Sequence, residues 1–295
     1  LSTYHKPTPY KRWLRYQHVI FDCDSTLSRI EGIDELASHA DTRSQVAMLT
    51  NAAMDGGVPL DQVYGERLSI LNPTRGAVRA LKHKYKRNVV EDAAQVISGL
   101  QNLGHDVYIV SGGLFDPVRE FGLSLGVPVG HIRAVDIEFD QLSGAWWDEK
   151  SGPWQERYLA YQRTELAESD GKAEIIRELL RGKTGRSLLV GDGVSDLLAA
   201  GSVNLFVGYC GVVKRDRVSS EAPLYIDCSS LAPLICIAAD SKAVSEAGPD
   251  LTSLAGKGRK LIENNALHFN DAKLADRFNA TLHASSRTDE TLFSP

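Results

Sequence analysis

His18-Val19-Ile20-Phe21-Asp22-Cys23-Asp24-Ser25-Thr26 is a short, continuously apolar run that ends in two carboxylates spaced i, i+2. Four apolar residues with no alternation are the mark of a strand buried on both faces, as in a parallel sheet. The same pattern returns at Val107-Tyr108-Ile109-Val110, closed by Ser111-Gly112-Gly113, and at Leu188-Leu189-Val190, closed by Gly191-Asp192-Gly193. Leu205-Phe206-Val207 and Leu224-Tyr225-Ile226 repeat it twice more. Helical periodicity lies between, over about 92–103, 114–125, 172–181 and 195–200. Strands alternating with helices predict an α/β fold: a doubly wound, Rossmann-like parallel sheet. Ligands of such sheets bind at the carboxyl ends of the strands, where the three polar clusters fall.

The stretch from 28 to 88 interrupts this alternation. It reads as helices over about 31–40, 43–54, 59–71 and 74–86, a small helical cap inserted after the first strand. The expected organisation is an N-terminal arm over 1–16, an α/β core from 17–27 and 89–240, the cap over 28–88, and a tail over 241–295. In the tail only 251–263 and 271–283 look helical.

The chain has 295 residues, 43% of them hydrophobic, enough for a core domain with a smaller companion. Its formal net charge of −5 and the lack of a dominant basic stripe argue against a nucleic-acid partner. Lys6, Lys11, Arg12 and Arg15 cluster near the start and read as a solvated arm. No run approaches the roughly 18 apolar residues of a membrane span. The visible start carries no signal-peptide pattern. Four scattered cysteines without a Cys-x-x-Cys pair suggest a reducing, cytoplasmic setting.

Chemistry concentrates at the strand ends. Asp22 can attack phosphorus and Asp24 can exchange a proton with the leaving oxygen. The plain alternative is an Asx-rich turn. Gly191-Asp192-Gly193-Val194-Ser195-Asp196 adds two more carboxylates. Asp22 and Asp192 could give Mg²⁺ the hard oxygens it favours, or Asp192 and Ser195 could simply cap a helix. Ser111 and Gly112, ahead of a helix expected near Leu114, could hold a phosphoryl group or form an ordinary turn. Lys172, at the start of a helix, could supply the positive charge that four acids and a dianion require, or point to solvent. In the cap, Arg67 falls within an apolar stripe of Leu60, Val63, Tyr64, Leu68 and Leu71. A charge on an inward face needs a partner or an anion, unless it snorkels at the edge.

Asp22-x-Asp24-x-Thr26, Ser111, Lys172 and Gly191-Asp192-Gly193-x-x-Asp196 follow the order of the four motifs of haloacid dehalogenase-like hydrolases. Phe21 to Leu27, Glu31-Gly32-Ile33-Asp34-Glu35-Leu36-Ala37 and Glu66-Arg67-Leu68 resemble the phosphoserine phosphatases of that group. The resemblance spans about 17–240. It implies a Mg²⁺-dependent phosphatase of small phosphorylated metabolites. Asp22 would be nucleophile and metal ligand. Asp24 would be the acid and base, with its backbone carbonyl on the metal. Asp192 would be the third protein ligand, and Asp196 would support the metal's shell and Lys172. Ser111, Gly112 and Lys172 would hold the phosphoryl group. Glu31 and Arg67 would grip an ammonium and a carboxylate.

Two stretches depart from that pattern. Arg133-Ala134-Val135-Asp136 stands where an Asn-Arg pair is usual, and Trp146 to Ser169 is long and holds three tryptophans. Both fit a phosphatase for another small ester. The same residues also admit a phosphomutase, a non-catalytic binder of a phosphorylated ligand, or a cysteine phosphatase built on Cys23-x₅-Arg29.

Overall fold

In a computed structural model, residues 13–37, 40–148 and 152–290 are described. In chain order, β1 (His18–Phe21) is followed by α1 (Ala40–Met54), α2 (Leu60–Leu71), α3 (Arg75–Arg87) and α4 (Ala93–Asn102). β2 (Asp106–Leu114), α5 (Phe115–Ser124) and β3 (Ile132–Val135) come next, then a hairpin of β4 (Ile137–Asp140) and β5 (Arg157–Tyr161). The second half runs α6 (Lys172–Leu180), β6 (Ser187–Gly191), α7 (Val194–Leu198), β7 (Leu205–Tyr209), α8 (Asp216–Glu221) and β8 (Leu224–Ile226). It closes with α9 (Pro233–Ala238), α10 (Ser241–Glu246), α11 (Pro249–Glu263), β9 (Leu267–Phe269) and α12 (Ala272–Glu290).

Seven strands form one sheet in the order β3-β2-β1-β6-β7-β8-β9, parallel except for β9. This is the predicted doubly wound α/β sheet. All residues of β1, β6 and β7 are buried, as their unbroken apolar runs require. The chain winds outward from β1 to β2 and β3, then returns to β6 on the other side of β1. The switch point therefore lies between β1 and β6, whose carboxyl ends carry Asp22 and Asp192.

The insertion leaves and rejoins the core through paired linkers. Arg29 N–H donates to the Asn88 carbonyl at 2.7 Å, and Val90 N–H to that of Leu27 at 2.9 Å. α1, α2 and α3 lie between. The helix expected over 31–40 does not form across its described residues 31–37, which hold a single turn at Asp34–Leu36; residues 38–39 lie outside the described residues, and α1 begins at Ala40. Gly32 N–H donates to the Asp24 carboxylate at 3.1 Å. The β4–β5 hairpin leans on the insertion. Arg75 pairs with Glu156 at 2.6 Å, and the Tyr64 and Tyr161 rings lie 4.9 Å apart. The described part of the long tryptophan-bearing stretch thus packs against the insertion, where Trp154 lies under Arg79. Trp146, Trp147 and Trp154 are exposed on it.

Both ends belong to the core more than the sequence indicates. Residues 1–12, with Lys6, Lys11 and Arg12, lie outside the described residues. Trp13 and Tyr16 are buried: Trp13 Nε1 donates to the Ile237 carbonyl and its ring packs edge-on against Phe278. In the tail, β9 adds an antiparallel strand at the sheet edge, where the sequence predicts only helices. α11 is fastened to the core by Lys257, paired with Glu91 at 2.7 Å and Asp92 at 2.6 Å. Among the described residues no helix is long and apolar enough to cross a membrane.

Candidate active site

β1, β2 and β6 are neighbours in parallel register, so the residues just past their ends meet. Asp22 N–H still donates to the Val190 carbonyl of β6 at 2.9 Å. Past Asp24 the chain turns sharply through Ser25, whose left-handed φ of 50° is uncommon for a residue other than glycine. Leu27 and Ser28 N–H groups then both donate back to the Cys23 carbonyl. The turn folds Asp24 into the same pocket as Asp22.

Lys172, the first residue of α6, is 3% exposed and enters from the side. Its ammonium lies 2.9 Å from Asp22 Oδ1 and 2.7 Å from Asp196 Oδ1. Burial alone would pull this ammonium down; the Asp196 and Asp22 carboxylates outweigh it and hold it above its ordinary value. Lys172 is therefore a fixed cation, and the solvent-facing alternative does not hold.

One oxygen each from Asp22, Asp192 and Asp196 can be chosen so that all lie within 4.8 Å of one another, and all three residues are buried. Burial, then the charges of Glu31 and Asp22, push Asp192 well above the usual carboxylate range. Burial and Asp22 push Asp196 up to about 7 against the pull of Lys172. Asp196 is fully committed, with Oδ1 on Lys172 and Oδ2 accepting the Gly193 N–H at 3.1 Å. Thr26 donates to Asp192 Oδ1 at 3.2 Å. The Asp24 carboxylate stands apart from this cluster. Its Oδ1 accepts from Tyr85 Oη at 2.7 Å and from Gly32 N–H at 3.1 Å. Burial and the nearby Glu31 raise it well above its ordinary value.

Ser111 and Gly112 line the pocket, but not as the start of a helix. β2 runs on to Leu114, its pairing with β3 slips between Val110 and Leu114, and α5 starts only at Phe115. A helix N-terminus therefore does not aim directly at Ser111. Its hydroxyl accepts the Gly113 N–H at 2.9 Å, and Tyr64 of the cap donates to the Gly112 carbonyl at 2.9 Å. A β-carbon at Gly113 would stand 2.9 Å from Asp24 Oδ2 and 3.1 Å from Ser111 Oγ, so a larger residue there would displace one of these side chains.

The cap brings Glu31 and Arg67 to the same pocket. Arg67 is 3% exposed and donates from Nη1 to Thr50 Oγ1 at 3.0 Å, while its buried Nε finds no partner among the described residues. Glu31 accepts from Ser25 Oγ at 2.8 Å and lies 3.6 Å from Arg215 Nη2. Burial raises the Glu31 carboxyl, and Ser25 and Arg215 oppose that rise.

Arg215 has no counterpart among the sequence candidates. It is 4% exposed, just ahead of α8, and ties three acids together: Asp192 Oδ2 at 3.2 Å, Asp55 Oδ1 of the cap at 3.1 Å, and Glu31. Lys214-Arg215-Asp216-Arg217 reads as a solvated run; its one signal is that it follows the carboxyl end of β7. Tyr85 is likewise missing from the sequence candidates. Arg133 is not drawn into the pocket, since its Nη1 donates to the nearby Gly130 and Ile132 carbonyls. The cysteine-phosphatase alternative fails. The Cys23 thiol is fully buried and pushed well above its usual value by burial, then by Asp24 and Asp22, while Arg29 is exposed.

Comparison with known proteins points the same way. The family described as haloacid dehalogenase-like hydrolase matches residues 16–204. The chain is 31% identical to human phosphoserine phosphatase over 211 residues, covering 70% of this chain and 88% of the human one. It is 32% identical over 213 residues to phosphoserine phosphatase of Drosophila melanogaster, covering 71% of this chain and 74% of the fly one. A solved structure of a phospho-aspartyl intermediate analogue of phosphoserine phosphatase shares the fold, with a TM-score of 0.63 at 23% identity over 75% of this chain and 98% of that one. With its sheet, its order of motifs and these relatives in agreement, the chain belongs to the haloacid dehalogenase-like hydrolases and is a phosphatase.

Proposed function

We propose that the chain hydrolyses a small phosphate monoester through an aspartyl-phosphate on Asp22, with phosphoserine as the leading substrate. The observation that carries the mechanism is the 2.9 Å contact between Asp22 and Lys172 in a pocket shared with Asp24. Lys172, the Ser111 hydroxyl and the Gly112 N–H hold the phosphoryl oxygens. Asp22 attacks phosphorus, and the bond to the ester oxygen breaks as that oxygen takes the proton of Asp24. Water then attacks the same phosphorus and gives a proton back to Asp24. Asp22 and inorganic phosphate are released.

The donor set fits Mg²⁺. It consists of hard oxygens, and among the described residues five carboxyl groups (Asp22, Asp24, Glu31, Asp192, Asp196) stand with three cations (Lys172, Arg67, Arg215). Asp22, Asp192 and the Asp24 backbone carbonyl would hold the ion, with Asp196 steadying Lys172 beside them. When bound, the ion supplies positive charge against the phosphoryl oxygens.

The unpartnered Nε of Arg67 supports a substrate carboxylate, since a buried donor without an acceptor is costly. Glu31 would then meet an ammonium, as phosphoserine requires, and the named relatives support the same substrate. One contact favours a second reading, an ester without an amino group such as a sugar phosphate: Arg215 already stands 3.6 Å from Glu31. We place the protein in the cytoplasm on its sparse use of cysteine. The test is phosphate release by the pure protein from a panel of esters. Phosphoserine should lead. Rapid turnover of another ester with none of phosphoserine rejects the substrate and keeps the phosphatase. A stable complex without turnover rejects hydrolysis.

A further inference from the structure

Tyr85 lies on α3, whose inner face is Val78, Leu81 and Tyr85 and whose other faces are crowded with Lys and Arg. The spacing i, i+3, i+7 puts these three on one side of the helix. The Tyr85 ring is fully buried and stacks on Phe121 of α5, with centroids 5.4 Å apart and planes 18° from parallel. Cap and core thus grip the ring between them, and its hydroxyl has one place to go. It donates to Asp24 Oδ1 at 2.7 Å and, among the described residues, meets no other acceptor. The approach is close enough to dictate Gly32, where a β-carbon would overlap the hydroxyl. Gly32 supplies its own N–H to the same Oδ1.

Two donors aimed at one carboxyl oxygen divide the labour of Asp24. A proton carried on Oδ1 would have to displace the phenol or the amide. Oδ2 has neither donor, and it is the oxygen beside Gly113 and Ser111 on the pocket side. We infer that Tyr85 is a positioning residue for the phosphatase reaction: it holds Asp24 Oδ1 so that Oδ2 exchanges the proton with the ester oxygen. This rests on the reading of Asp24 as acid and base given above. Oδ2–H passes its proton to the ester oxygen as the phosphorus–oxygen bond breaks and the bond to Asp22 forms. Attacking water later returns a proton to Oδ2, and Oδ1 keeps both donors throughout.

The experiment compares kcat/KM for phosphoserine, a poor leaving group, with that for p-nitrophenyl phosphate, whose leaving group needs little protonation. This ratio reports only the steps through formation of the phosphoenzyme, so slow hydrolysis of the intermediate does not mask the difference. Tyr85→Phe should lose roughly 10- to 100-fold on phosphoserine, the range for one hydrogen bond to a charged group, and under about threefold on p-nitrophenyl phosphate. Asp24→Asn, run beside it, should show the same selectivity more strongly. Replacing Tyr85 by 4-aminophenylalanine returns an N–H donor on the same ring and should restore much of the loss; it carries the test if the phenylalanine variant does not fold. Equal losses on both esters, or none, with a selective Asp24→Asn would make Tyr85 structural and overturn the inference. An unselective Asp24→Asn would reject the acid–base reading itself, and the role of Tyr85 with it.

Discussion

Arg67→Met is the sharpest probe of the substrate, because methionine keeps the apolar stem against Tyr64 and removes only the guanidinium. That group lies 5.3 Å from the Tyr64 ring, spends Nη1 on Thr50 and leaves a buried Nε without a partner among the described residues. Thr50 retains its bond to Asp34 after the change, and the cap loses one hydrogen bond, that from Arg67 to Thr50. On the proposed reading, what goes with it is a grip on a substrate carboxylate, charge-assisted and shielded from water, worth about 2–3 kcal/mol. That is a fall of roughly 30- to 150-fold in kcat/KM for phosphoserine. p-Nitrophenyl phosphate has no carboxylate and should change by less than about threefold. Both substrates are assayed on both proteins at matched, saturating Mg²⁺, with thermal unfolding to check the fold. Equal losses on the two esters would mean that Arg67 serves the cap and not the ligand, and the argument from its unpartnered Nε would fail.

Other perturbations separate the chemistry from the scaffold. Asp22→Asn should abolish turnover with the fold intact by circular dichroism; wild-type rates in a preparation free of deamidation would end the aspartyl-phosphate mechanism. EDTA should remove activity and Mg²⁺ restore it, and Mg²⁺ should also raise the unfolding midpoint, since an ion at 100 times its Kd adds about 2.7 kcal/mol. Asp192 and Asp196 are raised in the fold, Asp196 to about 7, so the folded state binds protons more tightly than the unfolded one. Their contribution to the metal-free protein therefore weakens as pH rises from 6 to 8, and Mg²⁺ should flatten that trend; a metal-free midpoint that rises with pH would contradict it. Arg215→Met strips a buried cation from Asp192 and Glu31 and should destabilise the metal-free protein by on the order of 3 kcal/mol in urea, less with Mg²⁺ present. No change in either condition would show that Arg215 does not offset the acidic cluster.

The sheet was legible wherever burial covers both faces of a strand. β1, β6 and β7 are unbroken apolar runs because every residue meets a helix or a neighbour. β9 carries no such run: Leu267-His268-Phe269 is three residues long, buried only in part, and makes sense as a strand only once β8 stands beside it. β4 and β5 were hidden for a related reason, since Arg157-Tyr158-Leu159-Ala160-Tyr161 pairs with its partner and covers the cap without entering the main core. Gly32 shows the converse error. The helical pattern over 31–40 is real in composition, but this segment is tied to the turn after β1, with Gly32 N–H donating to Asp24 Oδ1 and Glu31 accepting from Ser25 Oγ.

The site divides along the same line. Asp22 and Asp192 could be read together because each follows a strand, and Ser111 joins them from the carboxyl-terminal part of β2, since neighbouring strands of one parallel sheet bring these positions together by topology alone. Tyr85 and Arg215 reach the pocket by another route. Tyr85 is 61 residues from Asp24, on a helix whose sequence advertises only its basic outer faces. Arg215 sits in a charged run whose neighbours face solvent. Neither pattern says where a buried polar tip ends, because the partner is chosen by how the cap docks on the core. What the strands bring together is a set of acids. What the cap and the loop after β7 add is the control of those acids: a donor that fixes one oxygen of Asp24, and a cation that reaches Glu31 and Asp55 from its place beside Asp192. In this chain the acids proposed to react lie where the topology of the sheet puts them, whereas the groups proposed to orient them depend on tertiary packing.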